Sequence, residues 1–399
     1  MTDELRALKM VGTAVVYKKD RPAARLRRAE FGIEFSYLDA YLSAGHEPVA
    51  TSLPLSDQPV RTPAGAVPPF FAGLLPEGRR LSALRAAVKT SADDELSLLL
   101  AIGGDTIGDV RVLPEGKPPD GVRPRVEVAD WSTVSFAEVF AADTGAEPDR
   151  IGLPGVQPKA SAQMISIPVV AGADRYILKL DPPEFPHLCR NESLMLRAAR
   201  QAGLQVASAE LRVDREGREG LIVRRFDRAG GGLLAVEDGC QVLGRYPADK
   251  YALTTEQVCT GLSAATDAPV VAARTYLRWV TFAYLTCNGD LHAKNLSVAE
   301  QPGGVVQPSP AYDLPSSYPY GDSTMALTIA GKDREDIGRD DMMKMAGVLG
   351  VADRAARKVL DEVVGAVDRW IDLLPEAGFD GRTTTKWRRA IEYRARRLG

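Results

Sequence analysis

The chain has 399 residues, enough to bury a large core and to form two or three lobes. Its formal net charge of -3 gives no general case for binding nucleic acid or a membrane surface. The start, Met1 to Arg6, has no basic region leading into a long apolar run, and later apolar stretches are amphipathic or interrupted. Neither a secretory signal nor a membrane span is expected. Cys189, Cys240, Cys259 and Cys287 are widely spaced and form no C-x-x-C pair, so they read as reduced thiols of a cytoplasmic protein. Three histidines, His46, His187 and His292, leave little room for a histidine-rich metal centre.

The first part reads as β-rich. Val11 to Tyr17 is strand-like, and after a turn at Asp20-Arg21-Pro22 the residues Phe31, Ile33, Phe35 and Tyr37 alternate as in a half-buried strand. Phe70 to Leu75 leads through Pro76-Glu77-Gly78 into a helical stretch. Asp93-Asp94-Glu95 opens another helix with acids at its positive end, Leu96, Leu99 and Leu100 share one side, and Gly103-Gly104 ends it. The Pro/Gly-rich segment Pro114 to Gly121 marks a boundary, so the first unit is placed at residues 1–120.

A glycine- and proline-bearing loop, Gly152 to Lys159, then precedes strand-like runs at Ser161 to Val170 and Arg175 to Leu180. A helix is expected over Asn191 to Gln201, stopping at Gly203. Ala207 to Val213 and Gly220 to Phe226 form a hairpin around Asp214 to Gly217. This second unit is placed at residues 121–250, and a third, mainly helical, at 251–399. Val271 to Cys287 is a long apolar helix. Val359, Leu360, Val363, Val364, Val367, Trp370, Ile371 and Leu374 repeat at three and four residues, predicting one core-facing helix. The basic C-terminus, Lys386 to Arg397, reads first as a solvated helix face, and second as a surface for DNA phosphates.

The run Asn288-Gly289-Asp290-Leu291-His292-Ala293-Lys294-Asn295 follows the long apolar helix. Asp290 and Asn295 stand five positions apart, and Asp313 lies eighteen residues beyond Asn295. Phosphoryl transfer from ATP needs these groups in this order. One Asp accepts or orients the proton of the acceptor hydroxyl, and an Asn and a second Asp hold Mg²⁺ on the phosphates. The D-x-x-x-x-N spacing is that of the protein-kinase catalytic loop. Asn-Gly-Asp is also good turn chemistry, so the run gains its weight from the elements upstream.

Lys179 ends a predicted strand, where an ammonium can reach the α- and β-phosphates; taken alone it would be an exposed strand lysine. Glu192 is placed like the glutamate that pairs with such a lysine, or else is a solvated helix acid, and Asn191 beside it can serve as a cap. Gly155 lets backbone approach phosphate and Lys159 adds charge, unless the loop is an ordinary turn. His292 and Lys294 lie within reach of phosphate or acceptor, and for His292 a structural hydrogen bond is an equal alternative. Asn295 and Asp313 are hard oxygen ligands suited to Mg²⁺.

Gly155-Val156-Gln157-Pro158-Lys159, Ile177-Leu178-Lys179, Asn191-Glu192, Arg225-Phe226-Asp227-Arg228, Asn288 to Asn295, Ala311-Tyr312-Asp313 and Met325-Ala326-Leu327 occur in this order. Together they resemble the HipA family, the kinase toxins of bacterial HipA/HipB toxin–antitoxin pairs. The specific motifs span about residues 150–335, and Leu74-Leu75-Pro76-Glu77-Gly78 extends the likeness more loosely to the N-terminal unit. The resemblance implies an α+β, protein-kinase-like bilobal fold with a β-rich N-terminal lobe and a mainly helical C-terminal lobe. It implies transfer of the ATP γ-phosphate, with Mg²⁺, to a Ser or Thr of a protein. Asp290 would be the catalytic residue, with Asn295 and Asp313 as metal ligands.

The cofactor side would comprise Pro154, Gly155, Val156, Gln157 and Lys159, then Lys179 and Glu192, and then His292, Lys294 and Tyr312. Hinge residues Arg224, Arg225 and Phe226 would meet adenine through backbone and ring, although the two arginines can equally be surface residues or pair with Asp227. A HipB-like helix-turn-helix antitoxin would be the partner, with DNA contacted only through that complex and no membrane contact. The competing readings are a small-molecule, aminoglycoside-type phosphotransferase and an inactive kinase-fold module binding antitoxin and DNA.

One departure stands out. HipA kinases of the best-known type carry an autophosphorylated serine five or seven positions before the loop lysine, and here those positions are Pro154 and Gly152. Ile151 to Lys159 contains no Ser, Thr or Tyr, so no autophosphorylation is expected there.

Overall fold

The computed structural model describes residues 2–119, 126–131, 133–144, 164–172, 174–228 and 232–399. Strands β1 (Thr13–Lys18), β2 (Arg21–Ala29), β3 (Gly32–Tyr37), β4 (Val60–Pro63) and β5 (Val110–Pro114) form an antiparallel sheet in the order β4-β3-β2-β1-β5. The alternation in β3 buries Ile33, Phe35 and Tyr37, while Phe31, just before the strand, is exposed. The β1–β2 register shifts where Tyr17 meets Pro22, a residue with no N–H for the ladder. The Asp94 carboxylate accepts from the Ser97 N–H and caps the Glu95–Ile102 helix, whose Leu96, Leu99 and Leu100 join the core of this sheet.

A second antiparallel sheet contains β6 (Ile165–Ala171), β7 (Asp174–Leu180), β8 (Ala209–Val213) and β9 (Glu219–Arg224), ordered β6-β7-β9-β8. Ile165, Ile167, Leu178, Leu180 and Ile222 pack there with Val126, Val128, Phe136 and Phe140. The following helix runs Leu188–Gln201, three residues longer at its start than the sequence suggested. A contact from the preceding loop sets that start: Asp181 Oδ1 accepts the Cys189 N–H at 2.7 Å. Asn191 is therefore not a cap. Its side chain instead bridges to the backbone of Ser316, at 2.8 and 2.9 Å. Gly203, with φ at 82°, takes the left-handed turn that ends the helix.

The remainder is mainly helical. The Pro269–Leu285, Arg339–Val348, Asp353–Val364 and Gly381–Leu398 helices enclose Trp279, Phe282, Tyr284, Trp370 and Trp387 in the largest core. A small sheet of β10 (Val236–Asp238), β11 (Ser297–Glu300) and β12 (Val306–Pro308) lies beside the polar loop. The run from Val359 to Leu374 is not one helix. It stops at Gly365, resumes over Val367–Trp370 and tightens to a 3-10 turn over Ile371–Ala377, which contains Pro375. All three pieces face the same core, so the apolar spacing survives the break.

The basic C-terminal helix is not a wholly solvated face. Arg394 is buried over the Tyr284 ring, donating to the carbonyls of Tyr284 and Ser323, and Arg397 donates to the carbonyls of Asp336 and Ile337. Arg382, Lys386, Arg389, Arg396 and Arg397 are the exposed cations of this helix. The four cysteines are buried free thiols, and no helix among the described residues is long and apolar enough to cross a membrane.

Candidate active site

A cleft of about 380 Å³ opens between the second sheet, the polar loop and the N-terminal unit. Its polar lining includes Lys179, Asp290, His292, Asn295 and Asp313, and Ile177, Val223 and Phe226 supply an apolar wall.

The Pro269–Leu285 helix is buried along most of its length and delivers the loop from a fixed base. Gly289 is required by close approach, since a Cβ there would lie 2.7 Å from the Asp322 carboxylate and 2.8 Å from the Thr324 carbonyl. Asn288 Oδ1 accepts the Asp290 N–H at 3.0 Å, and Asn295 Nδ2 donates to the Asp290 carbonyl at 2.9 Å. Asp290 is thus held by backbone contacts on both sides and is only 2% exposed. Its Oδ1 accepts the Tyr251 hydroxyl at 2.7 Å. Burial and the charge of Asp290 push the Tyr251 phenol up, so it remains a donor.

Lys179 lies on β7 with its ammonium inside the cleft. Nζ is 2.7 and 2.8 Å from the two Glu192 oxygens and 2.9 Å from Asp313 Oδ1. Burial opposes its charge, but the two carboxylates prevail and its pKa is raised. Glu192, 1% exposed, is pushed up by burial and by Asp313, because two carboxylates share one cation. Asp313 holds φ at 55°, an uncommon backbone for a residue other than glycine and one that tends to persist at functional sites.

The oxygen donors fit a magnesium ion. Asn295 uses its amide NH₂ on the Asp290 carbonyl, which leaves Oδ1 for a ligand, and Asp313 retains Oδ2 after pairing with Lys179. Among the described residues no three His, Cys, Asp or Glu side chains cluster as a metal cage.

Other expected site residues are placed as follows. Phe226 and Tyr312 meet at 6.0 Å between ring centroids, with both lining the cleft. The Tyr312 hydroxyl is used structurally, on Ser297 Oγ at 2.5 Å and the Lys294 carbonyl at 3.0 Å. Arg224 and Arg225 also line the cleft, with their side chains tied to acids. Arg224 pairs with Asp174 at 2.6 Å, and buried Arg225 pairs with Asp227 and Asp105 and donates to the Thr106 carbonyl, fastening the hinge to the N-terminal unit. Lys294 likewise points across that boundary, donating to the Gly73 carbonyl at 3.0 Å and facing Glu77 at 3.3 Å.

His292 is buried and edge-on to Tyr251, with Nδ1 lacking a hydrogen-bond partner among the described residues. Burial lowers its pKa, which favours the neutral imidazole. Pro154, Gly155, Val156, Gln157 and Lys159 lie outside the described residues. Sequence reasoning gave no site role to Tyr251 or Lys250, read Asn288 only as turn chemistry, and had Glu77 only within the Leu74–Gly78 motif. Of these only Asn288 carried a local signal, as part of the Asn-Gly-Asp turn.

The two sheets, the buried lysine–glutamate pair and the helical lobe define an α+β, protein-kinase-like fold. The chain belongs to the HipA family. Residues 151–371 match the model of the HipA-like C-terminal domain and residues 14–113 match that of the HipA N-terminal domain. The putative kinase Y4mE of Sinorhizobium fredii is 30% identical over 393 residues, spanning 91% of this chain and 93% of that one. The serine/threonine-protein kinase toxin HipA of Shewanella oneidensis is 28% identical over 293 residues, 67% of each chain. A chain of the solved Shewanella oneidensis MR-1 complex of HipA, HipB and operator DNA shares the fold with a TM-score of 0.75 at 22% identity, covering 96% of this chain and 97% of that one. The family read from the motifs is therefore the family found.

Proposed function

We propose that the chain is an ATP-dependent protein serine/threonine kinase, a toxin restrained by a HipB-like antitoxin. The carrying observation is that Asp290, Asn295, Asp313 and the Lys179–Glu192 pair, from separate segments, meet at one cleft. The acceptor hydroxyl approaches Asp290, which orients it and takes its proton. Its oxygen forms a bond to the γ-phosphorus as the bond to the β-phosphate oxygen breaks and ADP leaves. Lys179, oriented by Glu192, meets the α- and β-phosphates. Mg²⁺, held by Asn295 and Asp313, would neutralise charge on the phosphates. Buried donors and cations already in place supply most of the rate through positioning and electrostatics.

The antitoxin reading draws on the fold shared with a HipA solved together with HipB and operator DNA. DNA would be reached only through such a complex. Radiolabelled ATP with Mg²⁺, offered candidate proteins and small alcohols in parallel, tests the acceptor class. Label on protein Ser or Thr is expected, and label confined to the alcohols would overturn this reading. A helix-turn-helix protein encoded beside this chain is expected to bind it and suppress the transfer.

A further inference from the structure

We infer that the N-terminal unit completes the active site, with Glu77 as a positioning residue that steadies Asp290 through Lys250 and Tyr251. This rests on the kinase reading above. Glu77 sits in the turn between the Pro69–Gly73 and Gly78–Val88 helices and lines the cleft. One carboxylate oxygen accepts the Lys250 ammonium, and the other faces Lys294 Nζ at 3.3 Å. The two lysine side chains are each only 12% exposed, while the Glu77 side chain they share is 38% exposed, so both cations converge on one carboxylate at the edge of the cleft. Asp238, 3.7 Å from Lys294, is the other carboxylate beside them.

The turn at Lys250 touches the catalytic loop twice. Its carbonyl accepts the Ala293 N–H at 3.1 Å, and the next residue, Tyr251, donates to Asp290 Oδ1 at 2.7 Å. Glu77 therefore anchors from one side a turn that holds the catalytic carboxylate from the other. Its own base is firm. Gln241 Nε2 donates to the Phe70 carbonyl at 2.9 Å, and Gly73 packs so tightly on Gln241 that a Cβ would approach its side chain to 2.7 Å. Burial works against the Glu77 charge, but Lys294 and Lys250 outweigh it and hold its pKa at about 2. The latch is therefore charged throughout the neutral range.

Glu77→Gln keeps the shape and removes the charge. Lys250 then turns toward solvent, Tyr251 loses its register, and Asp290 spends less time in line. The loss should appear in kcat, because Lys179 and the metal ligands are untouched. ADP release and phosphate transfer to dephosphorylated casein from Mg-ATP are measured per nucleotide-binding site counted by calorimetry, so that misfolded protein is not scored. We expect kcat of Glu77→Gln to fall roughly ten- to hundred-fold, with KM for ATP within about twofold.

Glu77→Asp, which keeps the carboxylate, should recover most of the activity. Tyr251→Phe should fall in the same way as Glu77→Gln, and the double variant should be no worse than the poorer single one, since both act through one network. A Glu77→Gln kcat equal to that of the unmodified protein, a Glu77→Asp loss as deep as that of Glu77→Gln, or losses that multiply in the double variant would each overturn the inference. A different result marks failure of the kinase reading itself: unmodified protein that binds nucleotide yet neither releases ADP nor labels casein.

Discussion

Replacing Lys179 by Met separates the structural work of this residue from its chemical work. The ammonium has carboxylate oxygens at 2.7, 2.8 and 2.9 Å, and its removal leaves Glu192 buried beside Asp313 with no cation. Breaking a buried pair from one side costs about 3–5 kcal/mol. The size should depend on pH. In the folded protein Glu192 already titrates above the ordinary carboxylate range, and losing Lys179 moves it further up. A carboxyl whose folded pKa exceeds its unfolded one loses stability as pH rises from the unfolded value of about 4.3 through the folded value. The Lys179→Met deficit should therefore be small in mild acid and full at pH 8.

The unmodified protein should not show this dependence through Lys179. That residue's folded pKa is raised, so its contribution is fully present below about 10.4 and is lost only as pH climbs through the folded value. Lys179→Met with Glu192→Leu puts two apolar side chains in the site and should regain most of the stability. It should not regain ATP affinity, since no cation remains for the phosphates. Urea unfolding at two pH values and calorimetric titration with Mg-ATP measure both effects. An equal deficit at both pH values, a double variant as unstable as the single one, or unchanged nucleotide affinity would refute the reasoning.

Two further outcomes are expected. Arg394→Met strips donors from the carbonyls of Tyr284 and Ser323 and a cation from the Tyr284 ring. It should lower the free energy of unfolding by about 2–4 kcal/mol, read from the urea transition, with ATP affinity unchanged. Mass spectrometry after incubation with Mg-ATP should find no phosphate within residues 151–159, which contain no hydroxyl side chain. Stoichiometric phosphate at Ser161 with loss of activity would show instead that a phosphorylation brake acts from a new position.

The candidate reacting groups were legible because the chemistry proposed for them fixes their spacing and order. Asp290, Asn295 and Asp313 could be read along one stretch, and Lys179 with Glu192 follows from a strand and the helix after it. Side-chain direction was not legible where the partner is remote. Arg225 donates to the Thr106 carbonyl, 119 residues away, and Lys294 to that of Gly73, 221 residues away. Tyr251 and Asp290 are 39 residues apart, and Glu77 and Lys250 are 173 apart, with no periodicity linking either pair. The break at Gly365 escaped notice for a different reason, since the apolar spacing continues across it.

The central claim is that Asp290 and Asp313 perform phosphate transfer in this cleft. Asp290→Asn and Asp313→Asn, purified and shown by circular dichroism and urea unfolding to be folded, should each lose transfer of radiolabel from Mg-ATP to protein. The unmodified chain, assayed beside them, should retain it. Undiminished ATP-dependent labelling by both variants would contradict the account.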